Sequence, residues 1–198
     1  MSDDSLLELA RRAPALTVMA TRRSEPKLAP PAPSAAELAF AIEMAATAPD
    51  HRSLTPYRMV AIWPDAAAAI VADIELERPD DAARARVSFS RAPLFVAVIA
   101  SPDAAARTSV EEQRDAAVVA TGYLLLALRA LGYGSMWRTG RLARDPVLAS
   151  ALELAVHERI VALVGVGTSL GLPTHPRSRK PRLEQLGSAD SQETFGLA

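Results

Sequence analysis

Gly132-Tyr133-Gly134-Ser135-Met136-Trp137-Arg138-Thr139-Gly140 is the stretch on which the reading of this chain turns. Gly132 closes a long apolar run in the way a helix C-cap does, because glycine accepts the left-handed backbone that ends a helix. Gly134 to Thr139 then suits a short strand. Taken singly, Gly132 and Gly134 read as turn residues and Trp137 as a core side chain. Taken together, Arg138, Thr139 and Gly140 put a cation, a hydroxyl and a backbone without Cβ in one spot. That combination suits close approach to a planar ring or an anionic group.

Working outward, Thr108 to Leu131 reads as one long helix, charged at its start (Glu111, Glu112, Arg114, Asp115) and then apolar nearly all round. Such a helix is enclosed on several sides. Pro93 to Ala100 is apolar at successive positions, the pattern of a strand buried on both faces. Met59 to Trp63 and Ile160 to Gly167 are further strands. Ser34-Ala35-Ala36-Glu37 is a capping box that starts a helix ending at Pro49. Asp65 to Glu77 is an alanine-rich helix, followed by a charged segment through Arg91. Asp145-Pro146 caps a helix running to about Leu154. Leu6 to Ala20 reads as helical, interrupted near Pro14, and Pro26 to Pro33 as an extended connector. Strands separated by helices indicate an α/β or α+β domain around a central sheet.

Composition narrows the chemistry. The 198 residues suit one compact domain, with 49% hydrophobic and 23% charged residues. A net charge of -1 and only 5% aromatics argue against nucleic acid as a partner, despite the basic run Arg177 to Arg182. There is no cysteine, which excludes thiol nucleophiles, disulfides and Cys-ligated metals. The three histidines, His51, His157 and His175, have no metal-ligand spacing, so no metal site is expected. The acidic N-terminus lacks the basic flank and apolar run of a signal peptide, and no apolar stretch is long enough for a bilayer. The expectation is a cytoplasmic protein without a membrane partner.

Two further segments carry chemistry. Arg22-Arg23-Ser24 follows a helix; it reads as a solvated helix end or as a phosphate clamp, with Arg gripping an anion in bidentate fashion beside a hydroxyl donor. Ala48-Pro49-Asp50-His51-Arg52-Ser53 lies where a helix gives way to a loop. Asp50 suits a turn, and His51 is a surface side chain or a donor at a cleft edge.

In this order, Arg22-Arg23-Ser24, Pro31-Ala32-Pro33, Ala48-Pro49-Asp50-His51, Pro56 and Gly132-x-Gly134-x-x-Trp137-Arg138-Thr139-Gly140 resemble a short bacterial subgroup of the nitroreductase family. The match extends to Val164-Gly165-x-Gly167-Thr168. The resemblance implies an α+β, three-layer α/β/α fold with a central, mainly antiparallel sheet, in an intertwined homodimer. It implies a single FMN-binding domain over 1–170 and a C-terminal extension over 171–198 that packs on the partner subunit or is partly disordered. It also implies an FMN-dependent oxidoreductase in which NAD(P)H reduces nitroaromatic, quinone or similar acceptors by ping-pong hydride transfer. The flavin then carries the chemistry, which accounts for the lack of a nucleophile triad or paired-carboxylate signal.

Carried over by position, the resemblance makes Arg22, Arg23, Ser24, Thr47, His51, Trp137, Arg138 and Thr139 the cofactor-binding residues. It associates Ala127 to Gly132 with the nicotinamide donor. Thr47 stands where the subgroup carries Arg; the loss of that cation either weakens flavin binding or moves the charge to Arg52 or Lys27. Another reaction on the same fold (dehalogenation or flavin fragmentation) and a non-catalytic flavin-binding dimer remain alternatives.

Overall fold

The computed structural model describes residues 13–171. The basic run at 177–182 and the whole extension from 172 onward lie outside the described residues, as does the helix expected before Pro14. The elements in order are α1 (Pro14–Thr21), α2 (Ala35–Ala45), β1 (Tyr57–Ile62), α3 (Pro64–Glu77), α4 (Pro79–Phe89), β2 (Leu94–Ala100), α5 (Val110–Ala130), β3 (Tyr133–Arg138), α6 (Pro146–Ala151) and β4 (Arg159–Thr168). Short 3-10 turns cover His51–Ser53 and Arg141–Arg144. The four strands form one antiparallel sheet in the order β1-β2-β4-β3.

The continuous apolar run of β2 belongs at the sheet's centre, and all seven of its residues are buried. Its side chains alternate in destination. Phe95, Ala97 and Ile99 join a core with α3, α4 and α6; Leu94, Val96 and Val98 join one with α2 and α5. The result is helices, sheet, helices: an α+β three-layer domain. Burying each large side chain of β2 stabilises the fold by about 2 kcal/mol, so a charge at Val96 would disrupt the α2/α5 layer.

Two capping boxes define the helices on one face. Ser34 Oγ accepts from the Glu37 N–H while the Glu37 carboxylate accepts from the Ser34 N–H. Ser109 and Glu112 repeat this at the start of α5. Along α5, Gln113, Ala116, Ala117, Ala120, Thr121, Leu124, Leu125 and Leu128 form the buried stripe, at the three- and four-residue spacing of one helix face. Val118, Val119 and Tyr123 occupy another face and remain exposed, as do Phe40 and Met44 of α2.

Three sequence readings are corrected. The segment through Arg91 contains a helix, α4, whose buried face is only Ala82, Ala85 and Phe89. Pro79 at its first turn with Asp80 and Asp81 beside it were the available signals. Trp63, expected as a strand end, is instead the N-cap residue of α3. The helix after Asp145 stops at Ala151 rather than near Leu154.

Glycines thin out the side chains on the α3/α4 face at the far end of the sheet. Gly134 pairs with Gly167, and Met136 with Gly165. The proline-rich connector crosses here. Glu25 N–H donates to Ser135 O at 3.1 Å, and Ala29 and Thr168 exchange N–H···O bonds of 2.9 and 2.7 Å. A Cβ on Gly167 would stand 2.6 Å from Pro93 Cδ and 2.8 Å from Ala29 O. A Cβ on Gly134 would collide with Leu28 Cδ2. These glycines admit a crossing backbone segment, a role local sequence does not announce.

Candidate functional site

Arg22, Arg23 and Ser24 are carried to the sheet edge by that connector. Arg22 is the C-cap residue of α1. Arg23 Nη1 donates to Ala20 O at 2.8 Å and to Arg22 O at 2.9 Å, so its cation sits on carbonyls at the helix's negative pole. Ser24 forms a parallel bridge with Ser135 of β3. This backbone contact joins two segments more than a hundred residues apart, and puts the triplet beside the strand that ends in Trp137 and Arg138. Thr139 follows that strand and is exposed, as is Ser24.

Trp137 and Arg138 point to opposite faces, as successive strand residues must. Trp137 packs with the α2/α5 core, and its indole N–H donates to Val161 O at 3.3 Å. The register between β2 and β4 shifts between Val98 and Ile99, which pair with Ala162 and Ile160 and leave Val161 opposite no residue of β2. That bulge helps explain why the Trp137 indole finds a carbonyl there. Arg138 lies on the α3/α4 face, where Nη2 donates to Pro26 O at 2.8 Å. Burial, then the repulsion of Arg91, hold its guanidinium below the ordinary arginine range. Its side chain is a clasp on the connector just beyond Ser24.

Thr47 and His51 are elsewhere. Thr47 Oγ1 donates to Met44 O at 2.7 Å, turned back on the end of α2. His51 Nε2 accepts from Arg52 Nε at 3.3 Å. Asp50 organises this loop: its carboxylate accepts from the Thr55 N–H and its carbonyl from the Ser53 N–H at 3.1 Å. Arg52, Ser53 and Thr55 all have left-handed backbones, with φ of 65°, 51° and 47°. Three such non-glycine residues in one loop are unfavourable by about 1 kcal/mol or more apiece. Clustered strain of this kind marks functional loops.

The two groups stand at opposite ends of α5. His51 is near enough to Glu112, in its first turn, to lower that carboxyl slightly, after the larger effect of the Ser109 cap. At the other end, Arg129 Nη2 donates to Thr21 Oγ1 at 3.1 Å. Glu112 and Arg129 are separated by about 25 Å of helix at 1.5 Å per residue. One chain therefore brings Arg22, Arg23 and Ser24 together with Trp137, Arg138 and Thr139, but not with Thr47 and His51. Ala127 to Gly132 form the last turn of α5 and its cap, with Gly132 at φ 91°. Among the described residues no group of His, Asp and Glu could hold a metal, and no helix is long and apolar enough to cross a membrane.

An antiparallel sheet between helical layers, with basic and hydroxyl side chains gathered where β3 ends, is the frame of the site. Residues 19–168 match the model of the Nitroreductase family, and the chain belongs to that family. It is 32% identical over 166 residues to a "Putative NAD(P)H nitroreductase" of Haemophilus influenzae, covering 79% of this chain and 89% of that protein. It is 31% identical over 160 residues to the "Putative NAD(P)H nitroreductase YdjA" of Escherichia coli K12, covering 78% and 87%. Among solved structures it resembles a nitroreductase-like protein of Bacillus cereus (TM-score 0.75, 20% identity, 88% and 96% covered). It also resembles a nitroreductase from Desulfovibrio desulfuricans solved in complex with FMN (TM-score 0.68, 24% identity, 88% and 98% covered).

Proposed function

We propose that this protein is an FMN-dependent oxidoreductase that takes electrons from NAD(P)H and passes them to nitroaromatic, quinone or similar electron-poor acceptors. The observation that carries the reading is the Ser24–Ser135 bridge, which sets an Arg-Arg-Ser triplet beside the Trp-Arg-Thr end of β3 in a family member. The donor set suits the cofactor: guanidinium groups for a phosphate dianion, hydroxyls for neutral hydrogen bonds, and no acid among the eight residues. The Desulfovibrio desulfuricans relative was solved in complex with FMN, which supports the choice of cofactor.

Bound FMN would supply the hydride chemistry. Arg22 and Arg23 would hold its phosphate, with Ser24 and Thr139 as hydroxyl donors. Arg138 keeps the connector against β3 through Pro26, so the triplet and the strand end stay in register. Arg52 and Lys27 would supply positive charge near the ring edge and His51 a hydrogen-bonding imidazole, which favours electron-rich states of whatever lies there. Because His51 and Thr47 lie at the other end of α5, the complete site needs them from a second copy. The exposed Phe40, Met44, Val118, Val119 and Tyr123 on α2 and α5 are the surface such a homodimer would cover. A ping-pong order follows, with the donor leaving before the acceptor enters the same cleft.

The test is the absorbance spectrum of the purified protein before and after anaerobic addition of NADH or NADPH. Flavin bands that bleach with the donor and return with a quinone support the reading. A holo protein whose flavin neither nucleotide bleaches would refute it.

A further inference from the structure

Glu25 directly follows the Arg22-Arg23-Ser24 triplet, and a carboxylate there works against any anion the triplet holds, since like charges repel. Its surroundings show a different use for it. The Glu25 N–H donates to Ser135 O at 3.1 Å, next to the Ser24–Ser135 bridge, so the residue lies along the edge of β3. Its side chain lies over Gly134: a Cβ on that glycine would stand 2.8 Å from Glu25 Oε1 and 3.1 Å from Glu25 Cδ. The carboxylate can rest against the strand because the strand carries no side chain at that point.

Across Gly134 the carboxylate reaches the end of the neighbouring strand. Ser169, one residue past β4, donates from Oγ to Glu25 Oε2 at 2.5 Å. Ser169 Oγ in turn accepts from the Gly171 N–H at 3.3 Å. Among the described residues no Lys, Arg or His forms an ion pair with Glu25, so its charge balances no cation there. Thr168 grips the same connector further on: its backbone exchanges bonds with Ala29, and its Oγ1 donates to Pro31 O at 2.9 Å. The end of β4 thus holds the connector at Glu25, Ala29 and Pro31, and the Glu25–Ser169 contact is the one nearest the triplet in the chain.

We propose that Glu25 is a positioning residue for the flavin phosphate: through Ser169 it holds the Arg22-Arg23-Ser24 segment against the sheet, and so couples FMN binding to the end of β4. The inference rests on the flavin reading above. Charge and position predict opposite signs. A carboxylate acting only through its charge would, when removed, let FMN bind more tightly. A carboxylate acting as a latch loosens FMN when its acceptor is lost, and a neutral acceptor of the same length replaces it.

FMN affinity of the full-length protein, read by quenching of flavin fluorescence, separates the two. Glu25→Ala and Ser169→Ala should each weaken binding by about tenfold, a usual size for coupling between sites. The double variant should be no weaker than either single one, because both changes remove one contact. Glu25→Gln still accepts from Ser169 and should bind at least as tightly as the parent. Amide hydrogen exchange gives a second readout: FMN should slow exchange at Ala29 and Thr168 in the parent and in Glu25→Gln, but not in either alanine variant. The latch is overturned if the two alanine effects add, if Glu25→Gln is as weak as Glu25→Ala, or if exchange in the alanine variants follows the parent. A parent that binds no FMN overturns the flavin reading and the latch with it. A parent that binds FMN, with Glu25→Ala binding it as tightly or more tightly, overturns the latch alone.

Discussion

Replacing Gly167 with alanine should cost far more than one methyl group ordinarily does. The new Cβ would stand 2.6 and 2.8 Å from Pro93 Cδ and Cγ and 2.8 Å from Ala29 O. Neither neighbour is the loose end of a flexible side chain: one is a proline ring at the start of β2, the other a carbonyl that Thr168 N–H bonds at 2.7 Å. Relief requires the connector to lift, which breaks both Ala29–Thr168 bonds at about 1 kcal/mol each. Otherwise the strain is retained at about 1–3 kcal/mol. Either route gives a destabilisation of about 2–4 kcal/mol, and each kcal/mol lowers Tm by about 2–4 °C in a domain of this size. Gly140→Ala is the control, because nothing lies within 4 Å of its Cβ and its φ of -72° suits alanine. Urea unfolding of the two variants and the parent reads the difference. A Gly167→Ala midpoint that matches that of Gly140→Ala would refute the reasoning that these glycines exist to admit the connector. FMN retention is a second readout, since the same connector fixes Ser24 against Ser135.

The remaining predictions concern assembly and charge. If one flavin site draws on both subunits, Arg23→Ala and His51→Ala homodimers each lose FMN, yet unfolding and refolding them as an equal mixture should restore about a quarter of the sites; no recovery would place both residues in one subunit's site. Val119→Arg, on the exposed face of α5, should yield monomers by sedimentation and lose flavin with them. Glu158, which Arg58 holds through two bonds of 2.8 Å, has its carboxyl lowered to about 2. Its folded-state value is depressed, so its stabilisation is present above about pH 4.5 and lost as the pH falls toward 2. Glu158→Gln should therefore lower stability at neutral pH by about 1–2 kcal/mol, discounted because Arg58 is partly exposed, and flatten the acid limb of a stability–pH curve.

Those elements whose cause is local were legible before the structure. The run at 93–100 has no polar face, so it could only be a strand buried on both sides. The Ser34–Glu37 box sits in four consecutive residues. The α4 helix was not legible because its buried face is two alanines and one phenylalanine set among charges, too small an apolar signal to distinguish from a solvated segment. Trp137 as a partly buried residue was readable; its acceptor was not, because the Val161 bulge exists only once β2 and β4 are in register.

The sequence by itself determined the class of the protein: the order and spacing of Arg22-Arg23-Ser24, His51 and Trp137-Arg138-Thr139 mark a nitroreductase family member, since such spacings survive in the chain whatever its packing. Only the tertiary structure decided how those residues group. Ser24 meets Ser135 across a backbone bridge, while His51 lies a helix length away beside Glu112. It also showed that Gly134 and Gly167 make room for a crossing segment of chain. Each of these depends on pairings between distant residues, which follow from how the two helical layers bury the sheet and not from any local run of side chains.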